Sequence, residues 1–173
     1  MEKKIALLFG PEGGNTERVA KLITSKIGED KCVLISVKNA DENTVSKYSS
    51  LIVGGSSIGT HNWSMPNSSS DWDEFLPKFK KIDFKGKTVA IFGLGDHMAY
   101  PNNFVDSMRI IYDSLIENNA TIIGECDTEN YEFNESEAVV NGKFVGLAID
   151  EDYQEELTEE RIDAWLKTIL DKM

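Results

Sequence analysis

The residues predict an α/β protein, three layers deep, with a doubly wound parallel sheet between helices. Short runs such as Ile5-Ala6-Leu7-Leu8-Phe9 are apolar throughout, as strands buried on both faces must be. Segments with apolar residues at helical spacing alternate with these runs, which is the order of a parallel sheet covered on both sides. Three of the strands end in glycine-bearing loops, and in such sheets these loops share the edge where ligands bind.

The elements follow in order. Residues 3–9 read as the first strand, and residues 16–28 as a helix with Val19, Leu22, Ile23 and Ile27 on one face. Residues 32–37 form a second strand, 41–47 a short helix, and 50–54 a third strand ending in glycine and serine. A polar loop runs on to Ser70, after which Asp71 and Glu74 resemble a capping pair for a helix that buries Phe75, Leu76 and Phe79. Strand four covers 88–92 and ends in Gly93-Leu94-Gly95. A long helix then carries Phe104, Met108, Ile111, Leu115 and Ile116 on its inner face. Residues 120–125 read as a fifth strand, and 144–149 as another strand or the same one resumed. The last helix starts near Thr158 and buries Ile162, Trp165, Leu166, Ile169 and Leu170.

A chain of 173 residues suits one domain, 1–173, with a real core. Its net charge of -12 argues against nucleic acid and anionic membranes and favours basic partners. Cys32 and Cys126 form no CxxC pair and no metal-ligand spacing, so they read as buried free thiols in a reducing cytosol. The first apolar run is too short for a membrane span or a signal peptide.

The first loop carries the sharpest chemistry. Gly10, Gly13 and Gly14 allow close backbone approach, and Asn15 and Thr16 add side-chain donors where the helix opens. Backbone N–H groups stacked at a helix N-terminus make a phosphate site. No lysine or arginine lies inside the loop, which suits a monophosphate better than a triphosphate. Asn15 stands where a P-loop needs lysine, and the glycine spacing is not GxGxxG. The third loop carries Ser56, Ser57, Ile58, Gly59, Thr60, His61, Asn62 and Trp63; the fourth carries Asp96, His97, Met98, Ala99, Tyr100 and Asn103. An aromatic beside small polar groups on each loop suits a flat ligand held between them. Trp63 also reads as a plain loop anchor. His61 and His97 read as surface residues rather than a catalytic pair.

Residues 10–17, Asp71-Trp72-Asp73-Glu74-Phe75, Phe92-Gly93-Leu94-Gly95-Asp96 with Tyr100, Asn103 and Phe104, and the stretch 144–152 together resemble the long-chain flavodoxins. The resemblance covers essentially the whole chain. It implies a sheet of order 2-1-3-4-5 and an extra loop, near residues 127–142, that splits the fifth strand. It implies a low-potential one-electron carrier, not an enzyme, that holds FMN without a covalent bond. Its partners would be basic redox proteins such as a flavodoxin reductase, and it would be a cytoplasmic monomer. Residue by residue, Pro11, Glu12, Gly13, Gly14, Asn15 and Thr16 match the phosphate loop. Tyr100 matches the tyrosine that stacks on the isoalloxazine, and Asp96 and Asn103 match residues at the ring's polar edge. Ser57 matches a threonine beside the flavin, and Asp152 an acid near the ribityl chain. Ser56, Thr60, Gly93, Leu94 and Gly95 complete the flanking loops.

The chain departs from the family pattern in two places. Pro11 and Gly13 replace hydroxyl residues of the phosphate loop, each lost hydrogen bond to a charged phosphate costing about 1.5–3 kcal/mol unless replaced. Glu12 is expected to point outward into solvent. Ile58 stands where the family has tryptophan, so Ile58 is expected near the ring, with Trp63 over its dimethylbenzene side and Gly59 as the hinge. The acids Asp150, Glu151, Asp152, Glu155, Glu156, Glu159 and Glu160 are expected to disfavour negative charge on the flavin and to meet basic partners, although Glu159 and Glu160 also suit the N-terminus of the last helix. Three other readings compete: an FMN-dependent NAD(P)H:quinone oxidoreductase, a receiver domain, and a flavodoxin fold that has lost its flavin and acts as a binding module. A receiver domain needs an acidic pair after strand one, where only Glu12 is found.

Overall fold

The computed structural model describes residues 4–56, 58 and 70–173. Its strands are β1 (Ile5–Gly10), β2 (Cys32–Ser36), β3 (Ser50–Gly55), β4 (Thr88–Leu94), β5 (Thr121–Ile123), β6 (Cys126–Asp127), β7 (Val139–Val140), β8 (Lys143–Phe144) and β9 (Leu147–Ile149). The helices are α1 (Asn15–Ile27), α2 (Glu42–Ser46), α3 (Asp71–Phe79), α4 (Ser107–Glu117) and α5 (Thr158–Ile169).

The main sheet is parallel in the order β2-β1-β3-β4-β5, as the resemblance implies. Its fifth position is filled by two pieces. The first half of β4 pairs β5, from Thr88 with Thr121 to Ala90 with Ile123. The second half pairs β9, from Phe92 with Leu147 to Leu94 with Ile149. Between these pieces the chain leaves the sheet and forms a small antiparallel unit, β6-β8-β7. The fifth strand is therefore interrupted, which is why it reads twice in the sequence.

The two-residue period of each strand sorts its apolar side chains into two cores. Leu7, Phe9, Ile52, Ala90 and Phe92 face α1 and α5, where Val19, Ile23, Ile162, Trp165 and Ile169 meet them. Ala6, Leu8, Leu51, Val53, Val89 and Ile91 face the other way, onto Val45 of α2, Trp72, Phe75 and Phe79 of α3, and Met108, Ile111 and Leu115 of α4. Both faces are dry, so the strands need apolar residues at every position.

Several local expectations are corrected. The cap of α3 is Ser70, which accepts from Asp73 N while the Asp73 carboxylate accepts from Ser70 N; Asp71 and Glu74 lie inside the first turn. Serine offers a hydroxyl at the position just before the helix, where an oxygen acceptor reaches the third N–H. Phe104 is buried ahead of α4 rather than within it, and Ile116 at the end of that helix is exposed. Leu170 is exposed as well, and Cys126 is only half-buried, although neither cysteine is in a disulfide. Leu76 is half-buried beside the buried Phe75 and Phe79. No helix among the described residues is long and apolar enough to cross a membrane.

Candidate functional site

The carboxyl ends of β1, β3, β4 and β9 bring four loops to one edge. The first loop, 11–14, joins β1 to α1. Gly13 has φ +85, and nothing lies within 4 Å of a Cβ built there, so its backbone is open to solvent. Among the described residues no acceptor meets the N–H groups of Gly14, Asn15 or Thr16 at the start of α1. The two preceding N–H groups are already taken. Glu12 N donates to the Asp71 carboxylate at 2.8 Å, and Gly13 N donates to the Glu17 carboxylate at 2.6 Å. The Glu17 carboxyl is held below its usual range by Lys21 and by that Gly13 N–H. Pro11 contributes no N–H. The donors that remain to meet a ligand are thus the N–H groups of Gly14 and of the first two residues of α1, Asn15 and Thr16.

Thr16 is buried, and its hydroxyl shares a 2.9 Å hydrogen bond with Ser56 at the end of β3. This bond ties the first loop to the third. The Asn15 side chain is turned back along α1, its Oδ1 accepting from Arg18 at 3.2 Å. Glu12 is exposed, as expected, but it is not without a counter-ion. Lys38, in the short turn after β2, places Nζ 3.5 Å from Glu12 and 3.6 Å from Asp71. The positive charge missing from the loop itself is therefore supplied from the turn after the neighbouring strand, and the two carboxylates in turn raise the pKa of Lys38, Asp71 foremost.

The strand ends are glycine for a reason that the loop chemistry does not supply. A Cβ on Gly54 would lie 2.0 Å from the Phe92 ring, and one on Gly55 would lie 2.5 Å from Trp72 Nε1. Trp72 slides under the edge and donates Nε1–H to Gly54 O at 3.1 Å. These glycines make room for large rings beneath the site.

In the fourth loop, Gly93 and Leu94 belong to β4, and Gly95 N donates to Ile149 O at 2.9 Å. The Asp96 carboxylate accepts from Met98 N at 3.0 Å and Ala99 N at 2.8 Å, closing a tight turn. Tyr100 N then returns to Asp96 O at 2.9 Å. This turn holds Tyr100 out, 64% exposed. Asn103 is exposed, with its amide on Asp106 at 3.2 Å. The exposed Asp152 comes from the loop after β9, and its carboxyl is held above the usual range by desolvation first, then by the charges of Asp96 and Asp150. Ile58 is 2% exposed and belongs to the core, its N–H on Ser107 Oγ at 3.2 Å. Its side chain is committed to the core and does not stand open at the cleft. Ser57, Gly59, Thr60, His61, Asn62 and Trp63 lie outside the described residues.

Residues 7–165 match the family model described as Flavodoxin. The chain belongs to the flavodoxin family. It is 43% identical to a flavodoxin of Buchnera aphidicola, over 97% of this chain and 96% of that protein. It is 42% identical to a flavodoxin of Synechocystis, over 96% and 95%. Among solved structures, a Fusobacterium nucleatum flavodoxin bound to flavin mononucleotide superposes with a TM-score of 0.88 at 27% identity, covering 99% of both chains.

Two features of this family member escape a reading of the sequence. His97 is buried at 8% exposure, not a surface residue, because its ring packs against Asp150. Asp150 is fully buried and Glu151 pairs with Arg18 at 2.6 Å, so the acidic run 150–152 is less exposed than it reads. Burial alone would raise the Asp150 carboxyl, but hydrogen bonds from His97, Tyr153 and Asp152 outweigh it and hold the group below its usual range. Glu159 and Glu160 do sit in the first turn of α5, where they complement its N-terminus.

Proposed function

We propose that this chain carries single electrons between redox proteins on FMN held without a covalent bond. The observation that carries this reading is the meeting, at one sheet edge, of the donor-rich start of α1 and the exposed ring of Tyr100. The residues fit such a cofactor. Three N–H groups without acceptors among the described residues suit a monophosphate, and the open backbone at Gly13 allows its close approach. The similar Fusobacterium nucleatum flavodoxin is described as bound to flavin mononucleotide, which supports the same ligand here.

FMN, when bound, supplies a flat ring system that takes up and releases electrons one at a time. The chain's own residues bind and orient it. The reading assigns the phosphate to Gly14, Asn15 and Thr16, with Lys38 offsetting the charge of Glu12 and Asp71 at the flank. The exposed ring of Tyr100 would stack on the flavin, projecting from the turn that Asp96 closes. Asn103 and Asp152 would border the polar rim and the ribityl chain. The net charge of -12 favours basic partner proteins, and two cysteines outside any disulfide suit a reducing cytoplasm.

The test is direct. The purified protein is titrated with FMN, and its visible spectrum is followed during stepwise reduction with dithionite. A yellow protein reduced in two separate one-electron stages is expected. A colourless protein that ignores added FMN refutes the reading.

A further inference from the structure

A buried pair ties the loop that carries Tyr100 to the loop after β9. Asp150 follows β9 and is fully buried. Its Oδ2 accepts the His97 backbone N–H at 3.0 Å and the His97 ring Nδ1–H. Its Oδ1 accepts from Asp152 N and Tyr153 N, both at 3.0 Å. An ionised carboxylate only accepts, so Nδ1 carries the proton and Nε2 is the ring atom left to gain one. Nε2 lies 3.8 Å from Glu132 Oε2, in the segment between β6 and β7. The Tyr153 ring meets the imidazole edge-on at 5.8 Å.

Among the described residues, the charged groups that meet this imidazole are the acids Asp150 and Glu132. Asp150 comes from the end of β9, with Asp152 just after it. Glu132 comes from the inserted segment, and Asp96 from the histidine's own loop, with its carboxylate turned to Met98 N and Ala99 N. His97 stands three residues before Tyr100, inside the turn that Tyr100 N closes on Asp96 O. A clamp on residue 97 therefore sets the turn from which Tyr100 projects.

Building on the cofactor reading above, we propose that His97 is the positioning residue of the Tyr100 loop, and that a proton on its Nε2 tightens the hold by adding an attraction to Glu132. The proton comes from solvent, and the Nδ1–H bond to Asp150 is kept in both states. A loop already held in place loses less freedom on binding, so the ring is bound more firmly.

Two measurements decide this. In the apoprotein, amide-exchange protection factors for residues 98–103 are followed from pH 5.5 to 8. They should rise toward acid by about two- to fivefold, the size of a weak, partly exposed ion pair. H97Q keeps a donor for Asp150 but takes no charge, and E132Q changes only an exposed side chain; both should be flat. Equal profiles in the three proteins overturn the proposal. Riboflavin, whose lack of a phosphate removes that group's own titration, is then bound over the same range. Its dissociation constant should fall toward acid by about the same two- to fivefold factor in the unmodified chain and not in the variants. Constant riboflavin affinity beside changing protection overturns the positioning role. A protein that binds neither riboflavin nor FMN defeats the cofactor reading, while the exchange measurement still decides the clamp.

Discussion

Asp150 shows how much a single side chain can hold. One buried carboxylate serves four donors, two on His97 and one each on Asp152 and Tyr153. Replacing it by asparagine keeps the volume but turns an acceptor into a partial donor facing N–H groups. Asp150→Asn should cost about 2–4 kcal/mol at neutral pH, read by urea unfolding. Because the folded carboxyl is held below its unfolded value, its contribution is complete above the ordinary carboxylate range and is lost as pH falls through the lowered folded value. The gap between the two proteins should therefore narrow below about pH 4. A gap that stays constant would show that the carboxylate is not held low. Tyr100 is the complementary case, a residue whose side chain does little for the fold. Tyr100→Ala should leave unfolding unchanged and weaken FMN binding by about 0.5–1.5 kcal/mol, roughly two- to thirteenfold, in a flavin-fluorescence titration. Unchanged affinity would remove the tyrosine from the site. Tyr100 is legible in the sequence as an aromatic in a polar loop. Asp150 is not, because an acid within Asp150-Glu151-Asp152 looks solvated until its partner 53 residues away is seen.

At the scale of elements, α3 and the glycine ends of the strands work as one unit. Ser70 starts the helix, the helix carries Trp72 under the sheet edge, and Gly54 and Gly55 leave the space it fills. The Phe92 ring beside Gly54 is itself fully buried and has nowhere to go. Gly54→Ala should destabilise the protein by about 1–3 kcal/mol through overpacking, measured by chemical denaturation. A neutral result would mean that the ring shifts freely. Ser70→Ala removes the cap and should cost about 1 kcal/mol in the same assay. Helix and strand types are legible from period and composition. The cap is displaced by one residue from the sequence reading, because Asp71-Trp72-Asp73-Glu74 offers several acids that imitate a capping pair. The glycines are legible as a ligand edge, but their packing role depends on which rings lie beneath them.

The whole molecule adds charge and layering. A net charge of -12 sets a field that no single residue carries, and it acts on encounter rates more than on fold. If its redox partners are basic, as proposed, association should slow by about tenfold or more between low and physiological salt, followed by stopped-flow. A salt-independent rate would show that charge does not steer docking. The sequence by itself determined the main helices and parallel strands and their order, the two-faced burial of those strands, and the glycine-rich turn at residues 10–17, but not the small antiparallel unit β6-β8-β7, which reads as a loop. These follow from spacings within one short stretch of chain, where period, glycine and helix start are all local. The tertiary structure alone decided that Lys38 neutralises the flank of that turn, that Ile58 belongs to the core, and that His97 closes on Asp150. Each of these joins residues from separate elements, and only the parallel order β2-β1-β3-β4 with β9 beside the end of β4 brings their loops to one edge.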